Sequence, residues 1–381
     1  MQHELQVALT KDIFRHIDNK TTDMAPDMVR NPIDAYRDSD RLKQELKQLF
    51  RGLPNFMGLS CRLPNPGDYV TEDFAGVPVL LARTMQGELK GFFNICRHRG
   101  TKVAKGCGNS RKGFVCPYHA WTYNLAGELV GVPHADSFPG LDKAQNGLVE
   151  LPTVERDGLI WVSANRDAEL DVDAHLNGLA PELASYGFGA YHHYETRELT
   201  FKMNWKAAID TFLEPYHFAY LHANTVGPIF IPNLCLFEGF GPNLREIMPR
   251  RTISELRQQP ESDWDLVRHS AVVYVLFPNT VFIMLADHLE TWRVYPVGDK
   301  ADECIMYLDF YTPEAVTTES ARQHWERSMD LTIRTVQEED FPAVESIQFG
   351  LASGAQDALT YGRNEPALIH FERSVTEAIG A

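Results

Sequence analysis

Two short pairs of side chains raise the question of metal chemistry: Cys96 with His98, then Cys116 with His119. They lie in CRHRG and CPYHAW, with seventeen residues between His98 and Cys116. Two thiolates and two imidazoles can hold zinc, but zinc fingers usually pair Cys with Cys and His with His. Here each half supplies one of each. That division suits a two-iron cluster in which one iron takes both thiolates and the other both imidazoles, which raises the reduction potential above that of an all-thiolate cluster. The loop between the halves carries Arg97, Arg99, Lys102, Lys105, Arg111 and Lys112 and no acid. It is either a solvated face or a docking surface for an acidic electron donor. Cys107 has no second loop cysteine to pair with and reads as a structural thiol.

A second constellation lies in NWKAAIDTFLEPYHFAYLH, residues 204–222. On a helix advancing about 100° per residue, Asp210, Glu214 and His217 fall within about one 60° stripe, with Asn204 as N-cap. His222 would lie roughly 140° round from His217 on a regular helix, so the two share one ion only if the helix bends or unwinds. Pro215 supplies a cause, because it removes the bond to the Thr211 carbonyl. Taken alone, two histidines on an amphipathic segment are as well explained by surface or core positions.

The rest of the chain must position these groups. It has 381 residues, 44% apolar and 23% charged, the texture of a folded protein rather than a disordered one. A net charge of −16 argues against a nucleic-acid or anionic-membrane footprint. No stretch reaches the ~18 apolar residues of a membrane span, and the N-terminus lacks a signal-peptide pattern. Six scattered cysteines (Cys61, Cys96, Cys107, Cys116, Cys235, Cys304) suggest reduced thiols and a cytoplasmic location. SDRLKQELKQLF patterns as an amphipathic helix through Leu42, Leu46 and Phe50. From about 58 to 165, short strands turn at Gln86-Gly87 and Ala126-Gly127 and indicate a small all-β domain. The second half mixes strands, such as those around Pro278-Asn279, with a helix from about Glu314 to Glu338 that Pro342 separates from another.

The CRHRG…CPYHAW pattern resembles the Rieske motif of the Rieske non-heme iron oxygenases, and the resemblance covers nearly the whole chain. It implies an α+β protein: residues 1–55 as an N-terminal helical segment, 56–165 as an all-β Rieske [2Fe-2S] domain, and 166–381 as a catalytic domain of antiparallel sheet wrapped around long helices. It implies that Cys96, His98, Cys116 and His119 hold the cluster. Glu214, His217 and His222 match the family's Asp/Glu-x-x-His-x4-His segment, so His217 and His222 become ligands of a mononuclear Fe(II). In QEEDFPAVESIQ the register makes Asp340 the third ligand, with Glu345 and Gln348 in matching places. Glu214 stands where many members have Asp, and the resemblance makes it a relay to a cluster histidine of a neighbouring subunit. Asp210, on the same stripe, is a further catalytic candidate.

The family's electrons come from NAD(P)H through a separate reductase, in some systems with a ferredoxin. The resemblance further implies a homotrimer, here without a small subunit. The substrate expectation is a hydrophobic, aromatic or cyclic molecule that meets Phe230, Ile231, Leu234, Leu236, Phe237, Phe240, Phe282 and Met284. A carboxylate held by Arg245, Arg250 or Arg251 is one variant. A quaternary ammonium compound caged by aromatics such as Trp292 is the alternative. A Rieske carrier with no oxygenase activity is the more distant one.

Overall fold

The computed structural model describes residues 1–380. The chain forms two compact units, one of Phe50–Val172 and one of the residues before Phe50 together with those from Asp173 onward. The sequence places these boundaries at 55/56 and 165/166.

The Phe50–Val172 unit is all-β. A five-stranded antiparallel sheet runs in the spatial order Glu150–Leu151, Leu89–Phe93, Val77–Arg83, Asp68–Phe74, Cys107–Asn109. Its central hairpin turns at Gly87, whose φ of 86° suits glycine. Three-stranded sheets are built on Leu159–Val162, buried along its whole length, and on the Thr122–Tyr123 and Leu129–Gly131 hairpin. At the hairpin turn Gly127 has φ 81°, and a Cβ there would collide with the Phe92 ring. The core beneath contains Leu80, Phe92, Phe114, Trp121 and Tyr123, with Cys96 and Cys116 among them.

The other unit is organised by a seven-stranded antiparallel sheet, in the order His192–Phe201, Cys304–Thr312, Leu289–Pro296, Thr280–Met284, Ser270–Leu276, Asn243–Pro249, Leu236–Phe240. Ser270–Leu276 and Leu289–Pro296 are buried at every residue, so both faces of the sheet centre are covered. Helices Trp205–Asp210, Glu319–Thr335, Phe341–Leu351 and Pro366–Ile379 accompany it. The N-terminal segment joins this unit through a buried ion pair. Lys206, at 0% exposure, donates to Glu45 at 2.7 Å, and the Trp205 indole donates to the same carboxylate at 2.9 Å. Leu46 is only half-buried, because the helix Ser39–Glu45 passes into a π turn at Leu46–Phe50 and Leu49 takes the buried position. No helix among the described residues is long and apolar enough to cross a membrane.

Candidate functional site

The two cysteine-bearing loops repeat one backbone design. In the first, the Gly100 N–H donates to the Cys96 carbonyl and the Cys96 N–H to Thr101. In the second, Ala120 donates to Cys116 and Cys116 to Trp121. Both loops close through a left-handed residue, Gly100 at φ 82° and Ala120 at φ 57°. A non-glycine residue there costs roughly 1 kcal/mol or more, which the surrounding packing must hold in place.

Each loop therefore buries its thiol and presents its imidazole two or three residues on. The His98 and His119 rings lie 4.7 Å apart, and His98 stacks on Trp121 at 4.9 Å and 8°. The Nδ1 atoms of both histidines are buried without a hydrogen-bond partner. Buried ring nitrogens are normally paired, so two orphans beside two buried cysteines fit a bound metal cluster. The Tyr123 hydroxyl lies 3.3 Å from Cys96 Sγ and accepts the Arg97 N–H at 3.0 Å, which ties the first loop to the core.

The second constellation departs from a regular helix. The helix ends at Asp210, and bonds from Phe212 to Ile209 and from Leu213 to Asp210 tighten its last turn. Residues 211–216 are non-helical, and a short 3₁₀ turn follows at His217–Ala219. Pro215 falls in the break, as its missing N–H requires. Gly227 lets the following loop fold back, for a Cβ there would strike the carbonyl oxygens of Phe218 and His222. Unwinding brings together the two imidazoles that a straight helix would separate. His217 Nε2 is 3.2 Å from His222 Nε2.

Asp340 completes the group. Its carboxylate Oδ1 lies 3.0 Å from His222 Nε2 and 3.6 Å from His217 Nε2, and it has no well-formed hydrogen bond of its own. Donors about 2.1 Å from one metal at right angles would stand about 3 Å apart, so these three can cap one face of an octahedron. Asp340 is the last residue of a π turn, Val336–Asp340, between helices Glu319–Thr335 and Phe341–Leu351. Pro342 cannot donate to the Glu338 carbonyl, and the π turn absorbs that fault while re-aiming Asp340. Glu345 and Gln348 accept the backbone N–H groups of Lys202 and Asn204 at 2.8 and 3.0 Å. The Asp340 helix is thereby fixed to the start of the helix leading to the histidines.

Both histidines are oriented from behind. His217 Nδ1 is hydrogen-bonded to Glu214, which also accepts the His217 backbone N–H at 3.1 Å. His222 Nδ1 is 2.6 Å from Glu339 Oε2, which accepts the Thr225 hydroxyl at 2.6 Å. With Nδ1–H donating to a carboxylate, each Nε2 lone pair is left for a metal. Burial opposes a charge on His222, but Asp340 and Glu339 outweigh it and raise its pKa. A divalent cation would take over the charge that this proton carries.

Nothing in the sequence distinguishes Glu339 from its neighbours. Its only signal was a place beside Asp340 in an acidic run. Asp210 departs from the expected stripe because the helix stops there. It makes no hydrogen bond or ion pair with His217 or His222. Instead it accepts the Tyr36 hydroxyl at 2.5 Å, and burial, then Glu372, pushes its pKa well up.

A cavity of about 340 Å³ opens on the three donors. Phe212, Phe218, Val226, Ile229, Phe230 and Trp292 supply its apolar wall. Of the residues expected there, Phe230 and Trp292 line it. Ile231, Leu234, Leu236, Phe237 and Phe240 do not. Strand alternation turns Ile283 inward and leaves Phe282 packed on Phe188, so Phe282 and Met284 are not part of the wall.

The sequence matches the family model described as the ring hydroxylating alpha subunit catalytic domain over residues 188–381, and the Rieske [2Fe-2S] domain over residues 55–152. Chloroplastic choline monooxygenase of Beta vulgaris is 27% identical over 86% of this chain and 72% of its own. The alpha subunit of biphenyl 2,3-dioxygenase from Rhodococcus jostii is 28% identical over 77% of this chain and 60% of its own. The fold is shared with the quaternary ammonium Rieske monooxygenase CntA solved with L-carnitine, at TM-score 0.79 and 21% identity over 93% of this chain and 96% of that one. The chain belongs to the Rieske non-heme iron oxygenase alpha subunits, oxidoreductases that carry a Rieske [2Fe-2S] cluster and a mononuclear iron.

Proposed function

We propose that this chain is the terminal oxygenase of a multicomponent system. It uses dioxygen and NAD(P)H-derived electrons, delivered by a separate reductase directly or through a ferredoxin, to hydroxylate a hydrophobic, aromatic or cyclic small molecule. The observation that carries this reading is the convergence of His217, His222 and Asp340 within 3.0–3.6 Å at an apolar cavity. In this reading those three are the iron ligands, and Cys96, His98, Cys116 and His119 hold the cluster. When bound, the cluster supplies single electrons and the mononuclear iron supplies dioxygen activation.

The chain's own residues orient, shield and position. Glu214 and Glu339 hold the Nδ1 protons of the two histidines. Phe218, Phe230 and Trp292 keep water from the open side of the three donors and position an apolar substrate. Glu214 is the proposed relay toward a cluster histidine of a neighbouring subunit. Exposure of the nearby Tyr216 and Tyr220, at 53% and 78%, supports a subunit contact there, as in a homotrimer without a small subunit. The basic loop through Arg97 and Arg99 suits an acidic electron donor, and the absence of disulfides among the described cysteines suits the cytoplasm.

A second reading, oxidation of a quaternary ammonium compound, is favoured by the aromatic faces in the cavity and by the choline and carnitine relatives. A single turnover separates the readings. The iron-replete protein is reduced anaerobically, then given heavy-isotope dioxygen and a pooled panel of ring and quaternary ammonium compounds. Label in a ring product supports the first reading, and demethylation or cleavage of an ammonium compound, scored with its released fragment, supports the second. No label in any product or fragment removes both.

Replacing Glu339 with Gln takes away the carboxylate behind His222 without changing its size. Mononuclear iron should bind about 10- to 100-fold more weakly. Iron retained against a graded chelator, with the cluster absorption as internal standard, measures this.

A further inference from the structure

Three arginines are near enough in sequence to serve a substrate, and the structure separates them. Arg245 is buried in ion pairs with Glu182 and Glu238. Arg251 is exposed and donates to the Pro228 carbonyl. Arg250 lines the cavity, and its guanidinium makes no hydrogen bond or ion pair among the described residues. Its Nε is buried with no partner. The guanidinium lies 6.0 Å from the centre of the Phe230 ring, Phe230 packs on Phe218 at 5.3 Å, and Phe218 packs on both His217 and His222. Burial lowers the Arg250 pKa and the charge on Asp287 offsets part of this, and the guanidinium stays charged.

The acids of the same cavity are already paired. Asp287 is bonded to His288 and to His324 at 2.8 Å each, and the His288 bond leads in holding its pKa down to about 2. Glu290 accepts from Thr332 at 2.6 Å and from Trp292 at 3.2 Å, and lies 3.3 Å from His288 Nε2. The cavity thus offers one cation with no hydrogen-bonded or ion-paired partner, and Asp340, among the three converging donors, is its one remaining acid. An anionic group would gain a planar fork of donors, while a cationic headgroup would meet aromatic faces and carboxylates already engaged by other side chains.

Resting on the oxygenase reading above, we propose that the substrate carries a carboxylate, and that Arg250 binds it across Phe218 and Phe230 from the three metal-binding donors. Arg250 then sets both specificity and the carbon presented for oxidation, because anchoring one end of a small molecule fixes where its other end lies. This holds for an aromatic acid and for a betaine alike.

The test uses the holoprotein and matched pairs: benzoate with benzamide, cyclohexanecarboxylate with its amide, and trimethylglycine with choline. Ligand-observed NMR gives each Kd, and heavy-oxygen turnover gives kcat/KM wherever product forms. Wild type should bind at least one acid about 10- to 100-fold better than its neutral or cationic partner, the span of a charge-assisted contact. Arg250→Met should erase that preference, and Arg250→Lys, which keeps the charge but not the fork, should restore part of it. Cluster absorption and iron content report whether each variant is intact. If the Met variant is not, the Lys variant and the wild-type pairs decide.

Acids that bind no better than their partners in wild type, or a preference unchanged in Arg250→Met, would overturn the proposal. An acid preference with no labelled product would count against the oxygenase reading while leaving the role of Arg250 standing. Labelled products from the non-acidic partners alone would do the reverse.

Discussion

Replacing Asp340 with Ala is expected to reduce substrate oxidation by about a thousandfold or more while leaving the red-brown cluster intact. Asp340 supplies the single carboxylate among the three converging donors, and its Oδ1 is engaged in no well-formed hydrogen bond. Its loss therefore removes a ligand and a negative charge, and the contacts it breaks are those to His222 and His217 within the same group. The cluster ligands lie in the Phe50–Val172 unit and should be untouched. Asp340→Asn separates charge from shape, because the amide keeps an oxygen but not the anion, and it should fall between Ala and wild type in iron affinity. Asp340→Glu lengthens the side chain from a π turn whose geometry is set by Pro342, Glu345 and Gln348, so it should not restore wild-type turnover. Steady-state turnover beside iron content and cluster absorption checks all three. An Asp340→Ala protein with near-normal turnover would place the third ligand elsewhere in the acidic run.

Stability should fall as pH rises from about 5 to 8, and Glu246 should account for a large share of the slope. Glu246 is fully buried on the strand Asn243–Pro249. Neither of its oxygens is held by a well-formed hydrogen bond. Burial pushes its pKa up to about 8 from an ordinary 4.5, and the Cys235 thiol offsets only part of this. Between those values the unfolded chain has lost the proton and the folded chain keeps it. The folded state binds more protons, so stability declines with pH across this window and levels off above about 8. At about 1.4 kcal/mol per unit the decline is of the order of 5 kcal/mol. Glu246→Gln has no proton to lose. The difference in unfolding free energy between variant and wild type should widen in favour of the variant by about 3–4 kcal/mol from pH 5 to 8, the part of that decline inside this window. Urea unfolding midpoints at each pH measure it, and a difference that does not move with pH would mean Glu246 is ionised or solvated in the folded state.

What was legible in the sequence followed from residues whose chemistry is local. The Cys-x-His and Cys-x-x-His pairs are contained in five-residue loops, so their spacing already carries their geometry. Pro215 marked the break that brings His222 beside His217. Strands such as Ser270–Leu276 showed as apolar runs. Tertiary geometry hid the rest. Asp210 obeyed helical periodicity on paper, but the helix ends at that residue. Phe282 and Ile283 are equally apolar, and only the pairing register decides which one faces the cavity. Glu339 could not be told from Glu338 in an acidic run, because the π turn that aims it at His222 depends on packing around Pro342. Arg250 differed from Arg245 and Arg251 only in lacking a partner, which no sequence records.

Counting iron and acid-labile sulfide per chain, with the cluster followed by electron paramagnetic resonance, tests the central claim most directly. Wild type should hold about three irons and about two sulfides, two irons in the cluster and one outside it. A variant with both His217 and His222 changed to Ala should fall to about two irons with sulfide and cluster signal unchanged. If it keeps its third iron, or loses the cluster with it, His217, His222 and Asp340 do not form a separate mononuclear site.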